Sequence, residues 1–197
     1  MTFFIFNLSY LMLRAASLRK GPMEFKAFDH EQLLTMGNAL HIAEEVTADF
    51  FKFSSTQWTR HPFDVKTLSS LQREEIREQV FAMLHKGLLG QDRFMPHARK
   101  KDYYFICLQD HQILEAVSRD KAIGLMPLLV YIFTHELVHI VRFGRFLQRF
   151  DVRGPKREEE EQRVHDITYE ILKGVSLKQL DCVLDAYHGQ RMCYVAV

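Results

Sequence analysis

The stretch from Leu125 to Phe143, LMPLLVYIFTHELVHIVRF, constrains this chain more than any other. Pro127 suits a first helical turn. A helix begun near Leu125 to Pro127 would run to about Phe143, where Gly144 can close it. Its side chains are almost all apolar, yet it carries His135, Glu136 and His139. Burying two imidazoles and a carboxylate without partners is costly. Whatever packs around this helix has to give those groups something to do.

The remaining segments suggest what packs there. Phe28 to Phe53 has apolar residues at Leu33, Leu34, Leu40, Ile42, Ala43, Val46 and Phe50, which predicts a helix. Gly37 is the point at which that helix would be interrupted. Pro62 marks the loop that follows. Leu68 to Gly90 predicts a surface helix, with Leu71, Ile76, Val80, Phe81 and Leu84 as its stripe and Gly87 and Gly90 at its end. Residues 91 to 102 form a polar turn region. Asp102 to Leu114 is rich in aromatic and β-branched residues and predicts a strand. After the apolar helix and the turn DVRGP, Lys156 to Gly174 predicts a helix that is acidic in its first turn. Ser176 caps a last helix that runs through SLKQLDCVLDAYHG. The expected class is α+β, mostly helical with a small sheet.

Composition removes some functions. The chain has 197 residues, 47% hydrophobic and 26% charged, which is enough for one domain with a real core. A net charge of +1 and the lack of a long basic block give no reason to expect a nucleic-acid partner. The cluster Arg99 to Lys101 reads as a solvated turn. Cys107, Cys182 and Cys193 are odd in number and form no C-x-x-C pair, which argues against a disulfide framework and a cysteine zinc cage. Three thiols fit a reducing compartment, so a cytoplasmic setting is expected.

Residues 1 to 22 stand apart as an apolar N-terminal segment. The run from Phe3 to Leu13 is shorter than the roughly 20 residues that span a bilayer. No basic residue precedes it, as one would before an export signal's core. It could be a first strand or helix packed on the domain, a degenerate export signal, or translation upstream of a natural start at Met23. Membrane contact through residues 3–13 is not expected.

On a helix, His135 and His139 lie one turn apart on one face, able to grip a single ion. Glu136 points beside that face, placed to handle a water without being obliged to bind the metal. This is the mechanical content of H-E-x-x-H, and Zn²⁺ is the expected ion. A catalytic zinc takes three protein ligands and leaves a fourth position open. The short continuation H-x-x-G-x-x-H fails here, because Arg142 stands where it needs Gly and Arg145 where it needs His.

The next source of a ligand is REEEEQRVHDITYEIL. At about 100° per residue, Val164, His165, Ile167, Thr168, Ile171 and Leu172 define one inward arc. Glu161 falls nearest its centre, Glu160 at its edge, Glu158 further off and Glu159 opposite. Glu161 is therefore the expected third ligand. His165, one turn on, is the alternative third ligand or a group that orients a ligand through its ring nitrogen. First-turn acidity that favours the helix dipole accounts for Glu158 and Glu159.

HELVH followed after a loop by a Glu-bearing helix resembles the gluzincins, the thermolysin-like branch of the zincin metallopeptidases. The resemblance covers Ile132 to Thr168. His165 stands where that branch commonly has Asp, and Val164 where a smaller residue is common. The resemblance implies a zincin-like metallopeptidase domain over residues 23–197, with HExxH on its active-site helix. It implies hydrolysis of peptide bonds in a peptide or protein substrate by a zinc-activated water, with Glu136 as general base. It also implies a substrate lying as an extra strand along a sheet edge, for which Tyr103 to Gln109 is the candidate. An oxyanion-stabilising group would come from the C-terminal part, where Tyr169, Tyr187 and His188 stand. Three alternatives stay open: a non-catalytic binding or regulatory member of the same fold, a carboxylate-histidine iron protein, and a metal-free structural protein. Glu136-x-x-His139 is half of the iron pattern, but Glu161 and His165 have the wrong spacing for its second half.

Overall fold

The computed structural model describes residues 3–7, 25–54, 58, 61–89, 101–145, 147 and 155–187. The fold is α+β and mostly helical. Its elements are β1 (Phe3–Asn7), α1 (His30–Phe51), β2 (Phe63–Lys66), β3 (Val80–Leu89), β4 (Lys101–Leu108), α2 (Asp110–Arg119), α3 (Leu125–Gly144), α4 (Pro155–Leu172) and α5 (Leu180–Tyr187).

Helix α3 is the axis of the molecule. It starts and ends where Pro127 and Gly144 suggest, and every residue from Pro127 to Phe143 is buried. A helix enclosed on all sides is a core element. Among the described residues it is the one helix long and apolar enough to cross a membrane, and most of it is covered by the rest of the fold. Gly144 is needed because a Cβ there would lie 1.9 Å from Cε1 of His61.

Helix α1 packs along α3. Its start is fixed by reciprocal bonds, Asp29 accepting from the Gln32 N–H at 2.9 Å and Gln32 accepting from the Asp29 N–H at 3.0 Å. Lys52, at φ 56°, ends it. The helix runs straight through Gly37. Its fully buried face is the small-residue row Ala39, Ala43 and Thr47, which lets the two helices approach closely. Leu33, Leu34 and Phe50, expected on the inner stripe, are exposed instead.

The sheet has the order β1-β3-β4-β2. β3 is antiparallel to both β1 and β4, and β2 is parallel to β4. Part of the N-terminal apolar run, Phe3–Asn7, is thus a strand. The rest of that run lies outside the described residues, as do the turn regions at 91–100 and 151–154.

The expected helix over Leu68 to Gly90 is not there. Two short 3-10 turns, Leu68–Ser70 and Arg73–Glu75, lead into β3. β3 is a central strand between two neighbours, and Phe81, Ala82, Met83 and Leu84 are all buried. A strand covered on both faces reads as a continuous apolar run, which periodicity does not separate from a helix. The strand predicted to Leu114 stops at Leu108, and α2 begins two residues later. The turn between them holds the preceding chain in place. Gln109 accepts from the Arg77 N–H at 2.8 Å and donates to the Glu75 carbonyl at 3.0 Å. The Asp110 carboxylate accepts from the N–H groups of Phe28 and Leu68, each at 3.0 Å.

Candidate metal centre

Helix α3 presents His135 and His139 on the face that meets α4. Their Nε2 atoms lie 3.1 Å apart. Glu161, on α4, places Oε2 3.5 Å from His135 Nε2 and 3.5 Å from His139 Nε2. Three donor atoms thus form a nearly equilateral triangle. Zinc bonds of 2.0–2.2 Å in a tetrahedron require ligand separations of about 3.3–3.6 Å. The two Glu161 edges match that requirement and are long for hydrogen bonds between carboxylate and imidazole, and the edge between the imidazoles is about 0.2 Å shorter than the range.

The polar accounting points the same way. Glu161 Oε1 and Glu136 Oε1 are buried and make no hydrogen bond, while Glu161 Oε2 faces the two imidazoles at 3.5 Å. Leaving such groups unpaired is expensive, and a native fold normally satisfies them. Two imidazoles and one carboxylate are an ordinary donor set for zinc. The residues fit the ion that the motif implies.

Burial pushes the Glu136 carboxyl well above its usual range, and the neighbouring Glu161 carboxylate adds to the rise. Burial acts on Glu161 in the same direction, but the imidazoles of His139 and His135 outweigh it and hold that carboxyl well below the usual range. Burial holds His135 well below the ordinary histidine value. The two carboxyls of one site are therefore driven apart.

The four consecutive glutamates separate as the helical projection requires. Glu158 and Glu159 are exposed, while Glu160 and Glu161 turn inward. His165 offers a nitrogen within 4.8 Å of the ligand atoms of His135 and Glu161. The triangle made with His139 is tighter, and we take it as the site. His165 stands beside it, with ring centroids 4.6 Å from His135 and Nδ1 at 2.7 Å from the Tyr131 hydroxyl. Tyr131 lies one turn before His135 on α3 and is fully buried.

Tyr131 is an addition to the sequence candidates at this centre, and Arg142 and Glu160, which the sequence marks only as a mismatch to the short continuation and as the edge of the arc, adjoin it. Tyr131 carried a legible signal, since it is four residues before His135 and so on the same helical face. Of the C-terminal candidates, Tyr187 packs edge-on against Phe81, and burial pushes its hydroxyl up to about 12. Tyr169 packs at the edge of the core. His188 lies outside the described residues. Strand β4 is flanked on both sides by other strands, so it is not the sheet edge that the resemblance implied.

A second cluster of metal-binding types, Glu75, His85 and Cys107, is buried on the far face of the sheet. Its carboxylate is already paired. Glu75 Oε1 lies 3.1 Å from the Lys66 ammonium and 3.3 Å from His85 Nδ1, and Oε2 accepts from the Gln72 N–H at 2.8 Å. Burial, with help from Glu75, pushes the Cys107 thiol up to about 12, which keeps it protonated. An internal ammonium supplies the charge that a metal would bring.

Comparison with protein-family models finds no match, and comparisons with curated proteins and with solved structures find no significant similarity. The likeness to gluzincins rests on His135, Glu136, His139 and Glu161 alone.

Proposed function

We propose that this chain is a zinc-dependent metallopeptidase. The observation that carries the reading is the triangle of His135, His139 and Glu161 with the buried carboxyl of Glu136 beside it, whose Oε1 makes no hydrogen bond. Zinc held by these three ligands supplies Lewis acidity toward a carbonyl and makes a water acidic near neutral pH. Glu136 takes the water's proton at its carboxylate and passes it to the leaving amine. The raised pKa of that carboxyl suits a group that must hold the proton between the two steps. Ile132, Phe133, Ile140 and Val141, which flank the motif along α3, are all fully buried. With β4 internal, an extended substrate that joins the sheet does so along β1 or β2, its edges among the described residues. The proposal includes a cytoplasmic setting, in keeping with the free thiols of Cys107 and Cys182.

A second reading has one observation in its favour. If His165 also bound the ion, four protein ligands would close the site and make it structural. Metal analysis together with cleavage of a mixed peptide library separates the two. One zinc per chain with cleavage supports the peptidase. One zinc with no cleavage, in both wild type and His165→Ala, supports a non-catalytic fold. Two irons per chain would sink both.

A further inference from the structure

We infer that Arg142 and Glu160 are positioning residues that set which of the four glutamates reaches the metal. The inference rests on the zinc reading above. Arg142 follows His139 by three residues on α3, and Glu160 precedes Glu161 on α4. Arg142 Nη2 donates to Glu160 Oε2 at 2.6 Å, and the guanidinium side chain is only 7% exposed. Arg163, which is 59% exposed, reaches the other oxygen of Glu160 at 3.8 Å and is a peripheral contact.

Two attachments a residue apart define how a helix is rotated. Successive residues on α4 point about 100° apart. With Glu160 tied to Arg142, Glu161 has to face the His135 and His139 pair. If Arg142 took Glu159 instead, the same turn would aim Glu160 at the histidines and swing Glu161 away. The buried row Val164, Thr168, Ile171 and Leu172 favours the first docking, and the buried guanidinium fixes it. The position at which the short H-x-x-G-x-x-H continuation fails thereby acquires a role of its own. Arg142 supplies no ligand, and it orients the helix that does.

The test measures zinc affinity by competition with a chromogenic chelator, and the thermal midpoint of the metal-free protein in parallel. Arg142→Gln and Glu160→Gln should each weaken zinc by roughly 10- to 100-fold, as for other residues that support ligands from outside. Arg142→Lys should retain most of the affinity. The double variant Arg142→Met/Glu160→Leu replaces the ion pair by apolar groups, which buried sites often tolerate. It should keep the wild-type midpoint while zinc stays weak. Zinc affinity within about twofold of wild type in Arg142→Gln, or restored in the double variant, overturns the inference and leaves the zinc reading intact. A wild-type protein that binds no zinc overturns both.

Discussion

In the proposed mechanism Glu136 is the residue on which the chemistry turns. Its neighbours His135 and His139 would hold the ion, while its own Oε1 makes no hydrogen bond in a buried place. Glu136→Gln removes the base but keeps shape and volume. We expect it to bind zinc as the wild type does and to lose peptide cleavage by about 10²- to 10⁴-fold, the usual worth of a positioned general base. Full activity in that variant would refute the mechanism. His135→Ala, His139→Ala and Glu161→Ala should each fail to retain one zinc through dialysis, whereas His165→Ala should retain it. Loss of zinc in His165→Ala, with retention in Glu161→Ala, would exchange their roles. The identity of this quartet was legible in the sequence because it depends on spacing along two helices. Its support was not. Nothing local links Tyr131 to His165, 34 positions on, or Arg142 to Glu160.

At the scale of elements, α3 is held by what closes on it. Gly144 sits against the ring of His61, which in turn stacks on Phe53 with centroids 5.7 Å apart. Gly144→Ala forces that ring away and should cost about 1–3 kcal/mol, as overpacking does. A urea midpoint equal to wild type would mean the ring moves freely. β3 shows why a segment's own pattern is a weak guide. Leu71, Ile76, Val80, Phe81 and Leu84 keep helical spacing, yet the chain there is two turns and a strand. Pairing with β1 and β4 prevails over local preference, and Gln109 fixes the backbone that leads into it. Gln109→Ala removes two hydrogen bonds from a fully buried site and should destabilise the fold by about 1–3 kcal/mol in the same measurement.

For the whole molecule, two histidines away from the candidate site, buried His85 and half-buried His111, set a pH dependence. Burial pushes both below the ordinary histidine value of 6.5, against the raising effects of Glu75 on His85 and of the Arg77 backbone and Asp110 on His111. The unfolded chain therefore takes up these protons at a higher pH than the folded one. Their contribution is complete above about pH 6.5 and is lost as pH falls toward the folded values. The urea midpoint of the metal-free protein should drop between pH 7.5 and 5.5, and less so in His85→Asn/His111→Asn. A midpoint that does not move in that range would contradict the assignment. The sequence by itself determined the mostly helical α+β class, the central helix from Leu125 to Gly144, and the faces on which His135, His139 and Glu161 lie. Helical periodicity and apolar runs are local, and a chain carries them wherever it folds. Only the tertiary structure decided that Val80–Leu89 is a strand, that β4 lies inside the sheet, and that three donor atoms meet at 3.1–3.5 Å. Those outcomes depend on strand pairing and helix docking between distant segments. Two helices that each read correctly alone can dock at many rotations, and a buried ion pair beside both motifs fixes one.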